Sequence, residues 1–415
     1  MRTHNAFTLA VCLVWFAAGR SQAAVHTRAV EQDVQALIER TRPAFVFIAG
    51  GSGAVISSDG YMISNAHVVK KQKRFNIRLG DGRSMKAELL GLDPGGDLAL
   101  LKIETDEDLP HLPLGDSDAL QVGSLSLAIG NPIALGLVDQ TPTFTLGVIS
   151  ALHQYRGIYN DAVVTDAPVN PGNSGGPLVN MAGALVGVNG LVQTRWGLRA
   201  STGLGYAVPA NQIKRFLPAL KAAEGGEIYR GRLPGIEWDE DEEAGDVKGA
   251  RIETVREESD AARAGFQAGD VVLRFDGEPI WHAARFAALV RGRPAGTAVE
   301  VVLRRGEEEK TLTVTLGTLK PGKLGFKLAR PKAGDEHLRV DTVEADAPAA
   351  RAGLQAGDEI LAIQGTELTG DIRDKALALA RWLRRGIYAG QEIRLTIRRT
   401  VDGAPADKEL VFEAY

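Results

Sequence analysis

The 415 residues carry 48 Lys+Arg against 52 Asp+Glu, a formal net charge of −4, with 44% hydrophobic and 24% charged residues. At about 150 residues per domain this length implies two to four domains, and the apolar share excludes a wholly disordered or fibrous chain. The slight acidic excess argues against nucleic-acid binding, and no run reaches the roughly 20 apolar residues of a spanning helix.

The first residues read as a cleaved secretory signal, 1–23. Arg2 is the positive flank, Ala6 to Gly19 the apolar stretch, and Ser21-Gln22-Ala23 offers small residues at the cleavage positions. Cys12, the single cysteine, lies inside that stretch and leaves with it. The mature chain then works outside the cytoplasm with no membrane span and no disulfides, so its domains must stand on apolar cores. Val30, Val34, Leu37 and Ile38 predict a short amphipathic helix over 27–40.

From Pro43 to Val208 the pattern changes to short β-type runs broken by Gly, Pro, Asn and Asp. They are Ala44–Ala49, Gly53–Ser57, Phe75–Leu79, Leu98–Ile103, Ser124–Ile129, Leu146–Ala151, Ala162–Thr165, Pro177–Val179, Ala184–Asn189 and Gly205–Val208. Such a series predicts an all-β barrel pair or sandwich. Asn211 to Ala223 reads as a closing helix capped by Asn211, and Gly225-Gly226 with Gly231 as a linker. An acidic run, Glu237 to Asp246, reads as a solvated loop. Beyond it Ala262-Arg-Ala-Gly-Phe-Gln-Ala-Gly-Asp270 recurs as Ala350-Arg-Ala-Gly-Leu-Gln-Ala-Gly-Asp358. Two copies fit a duplicated small domain rather than a solenoid, divided near Pro321-Gly322. Each has a helix-like stretch, Ala283–Val290 or Arg373–Arg385, between β-type runs.

The residues that carry chemistry lie in the β-rich half. In Gly172-Asn173-Ser174-Gly175-Gly176-Pro177-Leu178 a serine is flanked by glycines that let backbone N–H groups converge on a developing oxyanion. His67 follows the strand-like Tyr61–Ser64. Asp97 immediately precedes the buried run Leu98–Ile103, where an isolated carboxylate is costly and a histidine N–H would satisfy it. The order His67, Asp97, Ser174 is that of the double β-barrel acyl-transfer triad. Asp81 and Asp93 read as turn residues and Asp166 as a strand-end residue. His26, His111, His153, His282 and His337 read as surface residues without ligand spacing, so neither metal nor cofactor is expected.

These motifs resemble the HtrA (Deg) family of secreted serine proteases over essentially the whole mature chain. Gly51-Ser-Gly-Ala-Val-Ile-Ser, Asp59-Gly-Tyr-Met-Ile-Ser-Asn-Ala-His-Val-Val, Asp97-Leu-Ala-Leu-Leu-Lys, Gly130-Asn-Pro, Gly147-Val-Ile-Ser and Thr165-Asp-Ala stand in the family's order with the serine motif, and the repeat looks like its PDZ domains. The resemblance implies a mostly β chain: a trypsin-like double β-barrel protease domain (24–226) followed by two small α+β PDZ domains (227–320 and 321–415). It implies catalysis by His67, Asp97 and Ser174, with the oxyanion hole at Gly172, Asn173 and Ser174. Val169, Asn189, Gly190 and Leu191 fall at a P1 pocket with no aspartate for a basic residue, so aliphatic P1 side chains are expected. Carboxylate-binding loops fall at Gly235 and Ile236 and at Leu324, Gly325 and Phe326. Pro234 lacks an N–H, which predicts weaker peptide capture by the first module. The implied activity is that of a periplasmic endopeptidase of unfolded or damaged polypeptides, whose PDZ domains take peptide C-termini. A homotrimer or multiple of trimers is implied, with 27–47 near its contact. Only Gly50-Gly51 follows the Phe45–Ala49 run, so the long loop of some cage-forming members is missing. A holdase-type chaperone and a narrow regulatory protease are the alternatives.

Overall fold

A computed structural model describes residues 28–414 except 71, 133–140, 157, 195–200, 234, 239–248, 258, 319–322, 333, 385–391 and 402–403; the signal segment, Pro234 and most of the acidic run lie outside the described residues. The helix α1 (28–41) buries Leu37 and Thr41 and leaves Val30 exposed, so its apolar stripe is narrower than its pattern suggests. The β-rich stretch then forms two six-stranded barrels. The first contains β1 (Phe45–Ile48), β2 (Gly51–Val55), β3 (Tyr61–Ser64), β4 (Arg74–Leu79), β5 (Ser84–Asp93) and β6 (Leu98–Ile103), in order β5-β4-β1-β2-β3-β6 and closed by the β5–β6 pairing. The second contains β7 (Leu125–Gly130), β8 (Thr143–Arg156), β9 (Tyr159–Thr165), β10 (Pro177–Asn180), β11 (Leu185–Thr194) and β12 (Ser201–Pro209), closed in order β10-β11-β12-β9-β8-β7. Closure removes the exposed strand edges that short strands otherwise offer.

Strand β5 has no counterpart in the sequence reading. Its first half alternates exposed and buried residues and its last three, Gly91 to Asp93, are all buried, so a polar face masks a strand that closes the barrel. A one-turn helix, α2 (Ala66–Val69), follows β3, and α3 (Ala210–Lys221) follows β12. Helix α3 has Pro209 at its N-cap and no side-chain cap. Asn211 lies inside its first turn, donating to Asp116 at 2.7 Å, while the Ser117 hydroxyl accepts the Asn211 N–H at 3.1 Å. The expected Asn211 cap is therefore replaced by groups from a distant loop. The linker is also tied down: Gly226–Glu227 pairs parallel to β5, Gly226 opposite Gly91.

The chain divides into two compact units, one running through Leu316 and one from Gly317 onward. Besides both barrels, the first holds a small module with strands Val271–Phe275, Ala298–Arg305 and Glu308–Thr315 and helix Ala283–Arg291 over a core that includes Phe275, Phe286 and Val301. The second unit repeats this plan with strands Leu338–Val343, Glu359–Ile363, Glu392–Val401 and Ala404–Glu413 and helix Ile372–Arg384 around Ile360, Ile393 and Ile397. Within the first unit two buried arginines join module to barrels. Arg230 is ion-paired with the fully buried Asp93 at 2.6 Å and donates to the Arg291 carbonyl at 2.9 Å. Arg285 bonds the Tyr155 hydroxyl at 3.2 Å and Glu278 at 2.8 Å. Asp93, read from sequence as a turn residue, does accept the Gly96 N–H at 3.1 Å. Its carboxylate also receives the linker's charge, without which its burial would be costly.

Candidate active site

Each predicted triad residue stands within three residues of a strand end. His67 is on α2. Asp97 occupies the β5–β6 turn in a left-handed backbone conformation, φ +58°, which aspartate tolerates better than most residues. Ser174 lies in the loop between β9 and β10. The Asp97 carboxylate is almost fully buried and accepts the His67 ring Nδ1–H at 2.8 and 2.9 Å and the His67 backbone N–H at 3.1 Å. Asn65 fixes the other side of the turn, donating to the Asp97 carbonyl at 2.8 Å. Orientation by Asp97 leaves Nε2 of the half-exposed imidazole as the face available to a reacting group.

The serine loop is held by the first barrel. The Ser174 carbonyl accepts the Ser52 N–H at 2.9 Å, and the Gly172 carbonyl accepts the Ser52 hydroxyl at 2.7 Å. Gly172 needs its φ of +106° to make this turn. Among the described residues the N–H groups of Gly172 and Ser174 meet no acceptor, so both are open to an oxyanion. Asn173 is different: its N–H donates to the Asn170 carbonyl at 2.9 Å and its buried side chain packs against Gly130. Of the three residues named for the hole, Asn173 serves as a buried spacer. The Ser174 hydroxyl donates to the Gly190 carbonyl at 3.2 Å.

The residues expected at a P1 pocket are spread over two elements. Val169 is buried in the second barrel's core beneath Gly205. The Asn189 side chain turns inward to the Pro177 carbonyl at 3.1 Å, and its main chain pairs with Gly175 and Gly176 at 2.8 and 2.9 Å. Asn189 thus braces the serine loop, while the Leu191 side chain lies outside the described residues. In the first small module Gly235 precedes Ile236, which pairs with Val255. In the second, Leu324 and Phe326 pack on the core, the Gly325 carbonyl accepts the Glu344 N–H at 2.8 Å, and Phe326 pairs with Val343.

The chain matches a trypsin-like peptidase domain over residues 51–188 and PDZ domains over 251–305 and 313–408. It is 36% identical over 338 residues, 76% of this chain and 68% of the relative, to the periplasmic serine endoprotease DegP of Salmonella typhimurium. It is 34% identical over 345 residues, 78% of this chain and 74% of the relative, to the periplasmic pH-dependent serine endoprotease DegQ of Escherichia coli. This chain is a serine endoprotease of the HtrA family. A solved HtrA-type protease, AlgW with a tripeptide, superposes with TM-score 0.55 at 31% identity, covering 72% of this chain and 98% of that one.

Two further residues of this HtrA-family protease escape sequence reasoning. The buried Tyr159 donates its hydroxyl to Asp97 Oδ2 at 2.5 Å, and Arg230 grips Asp93 at the start of the turn that carries Asp97. Each contact spans a long stretch of chain, and no local pattern marks it. His153, read as a surface residue, is half-buried and paired with Asp161 at 2.7 Å. His282 accepts the Ala284 N–H at 3.0 Å and caps a helix. Among the described residues no three His, Cys, Asp or Glu side chains gather as a metal site, and no helix is long and apolar enough to cross a membrane.

Proposed function

We propose that His67, Asp97 and Ser174 carry the peptide hydrolysis of this HtrA-family protease, as a triad with the Gly172 and Ser174 amides as its oxyanion hole. Ser174 Oγ leaves the Gly190 carbonyl and attacks the scissile carbonyl carbon while its proton passes to His67 Nε2. The tetrahedral oxyanion is held by the two amides, each typically worth about 10²–10³ in rate. His67 returns the proton to the leaving amine as the C–N bond breaks, and water hydrolyses the acyl-enzyme by the same path in reverse. Asp97 fixes the imidazole tautomer and stabilises the imidazolium. The observation that carries this reading is the half-exposed His67 held by the buried Asp97, together with a serine loop whose Gly172 and Ser174 amides meet no acceptor among the described residues.

The wider reading follows the relatives. The signal at 1–23 and their periplasmic location support work in the periplasm on unfolded polypeptides. Residues 24–226 act as the protease domain, 227–320 and 321–415 as the PDZ domains. The Leu324–Phe326 loop, and less strongly the Gly235–Ile236 loop, take peptide C-termini. Val169, under Gly205, supports a preference for small or medium aliphatic P1 residues. A homotrimer is the proposed assembly. Incubation with diisopropyl fluorophosphate and an unfolded substrate tests the nucleophile: the adduct is expected on Ser174, and an adduct elsewhere, or none, contradicts the assignment.

A further inference from the structure

Asp97 has one donor that the triad does not require. Tyr159, the first residue of β9 in the second barrel, is buried and sends its hydroxyl to Oδ2 at 2.5 Å, the oxygen that also receives the His67 Nδ1–H at 2.8 Å. Burial, reinforced by the Asp97 charge, raises the phenol's pKa, so the group is a neutral donor throughout the working range. Room for it comes from β11. Gly190 lies against the phenol, and a Cβ there would run into the hydroxyl and the ring edge. The same Gly190 accepts the resting Ser174 hydroxyl through its carbonyl. One phenol therefore touches the acid of the triad and packs on the residue that parks the nucleophile, across the seam between the two barrels.

We propose that Tyr159 is a positioning residue for peptide hydrolysis, orienting the Asp97 carboxylate and through it the His67 imidazole. A carboxylate held only by the imidazole and the His67 amide can turn about its own axis. A third donor anchored in the opposite barrel fixes its plane and draws part of its charge away from His67. A buried tyrosine with a merely structural role would satisfy its hydroxyl on a backbone carbonyl, of which strands offer many. Here it meets the reacting network at the oxygen that also faces the imidazole.

The inference rests on the triad reading above, and the test separates the two. Kinetics on an unfolded substrate compare the full mature chain with Ser174→Ala and Tyr159→Phe. Residual cleavage by Ser174→Ala would sink the triad reading itself. With that variant inactive, Tyr159→Phe is expected to lower kcat about tenfold, the scale of a lost hydrogen bond to a charged group, with KM within about twofold and a melting temperature lower by only a few degrees. In a Ser174→Ala background the His67 Nδ1–H proton resonance should move downfield on Tyr159→Phe, because Asp97 then has one fewer competing donor. Unchanged kcat, a loss confined to KM, or a resonance that stays in place would each overturn the proposal. Should Tyr159→Phe not fold, 3-fluorotyrosine in place of Tyr159 keeps the shape and sharpens the donor. It is expected to move the same resonance the opposite way, and no movement would overturn the proposal.

Discussion

The two PDZ modules share an internal brace and differ at the loops expected to meet a peptide. In the first, Arg305 donates to both Asp270 oxygens at 2.7 and 2.8 Å and to the Gly265 carbonyl at 2.7 Å, and Asp270 accepts the Gln267 N–H at 2.9 Å. In the second, Arg399 does the same to Asp358 at 2.6 Å twice and to the Gly353 carbonyl at 2.8 Å, with the Gln355 N–H at 2.8 Å. The nine-residue repeat that betrays the duplication in sequence is thus a folding device: the end of a one-turn helix and the turns after it, whose final aspartate is buried against an arginine from a distant strand. At the carboxylate loop the copies diverge, Pro234-Gly235-Ile236 against Leu324-Gly325-Phe326. The first copy is also built into the barrels' unit through Arg230 and Arg285. Identity between repeats marks what both must do to fold, and difference marks where their work can diverge.

The largest effect expected from breaking this comparison is at Arg230. Arg230→Met leaves the fully buried Asp93 carboxylate without its ion-pair partner, which costs about 3–5 kcal/mol. Thermal unfolding of the first unit should fall by many degrees, and kcat should fall with it because Asp93 opens the turn carrying Asp97. An unchanged melting temperature would mean that the pair is not buried in solution. Next come the braces. Asp270→Ala and Asp358→Ala each remove a pair whose arginine keeps some contact with water, about 2 kcal/mol. Calorimetry should assign the first loss to the unit that carries the active site and the second to the unit from Gly317 onward, leaving cleavage of short peptides intact in Asp358→Ala. A common shift of both transitions would contradict the division.

A smaller effect sharpens the loop difference. With Ser174→Ala to prevent cleavage, titration of a hydrophobic C-terminal peptide should show binding weakened about five- to tenfold by Leu324→Pro, which removes one N–H donor. The reciprocal Pro234→Leu should strengthen capture by the first module, and equal responses would erase the distinction. The smallest effect is electrostatic. The Asp161 hydrogen bond raises the pKa of His153 despite partial burial. A raised folded-state value adds stability that is full below the ordinary histidine value of about 6.5 and is lost as pH rises through the raised one. Melting temperatures of the natural chain should therefore decline relative to His153→Gln between pH 6 and pH 8, by a degree or two at most; parallel curves would place this pair outside the folding balance.

What could be read from sequence follows from how local each feature is. Gly172–Leu178 and His67 announce themselves in a few residues, because a tight turn and a short helix are local solutions to a chemical need. Asp97 is legible because a carboxylate at the start of Leu98–Ile103 demands a partner. Tyr159, Arg230 and strand β5 are not legible. The first two gain meaning only from partners across the fold, and the third carries a polar face through its first half. Asn173 shows the reverse error: it sits inside the right motif, yet its N–H turns to Asn170. The Asn211 cap failed for a related reason, since Ser117 from a remote loop occupies that role.

The central claim is that Ser174 performs the hydrolysis. Its most direct test is digestion of β-casein by the purified mature chain beside the Ser174→Ala variant. Cleavage that vanishes in the variant is the predicted result; equal cleavage by both proteins would contradict it.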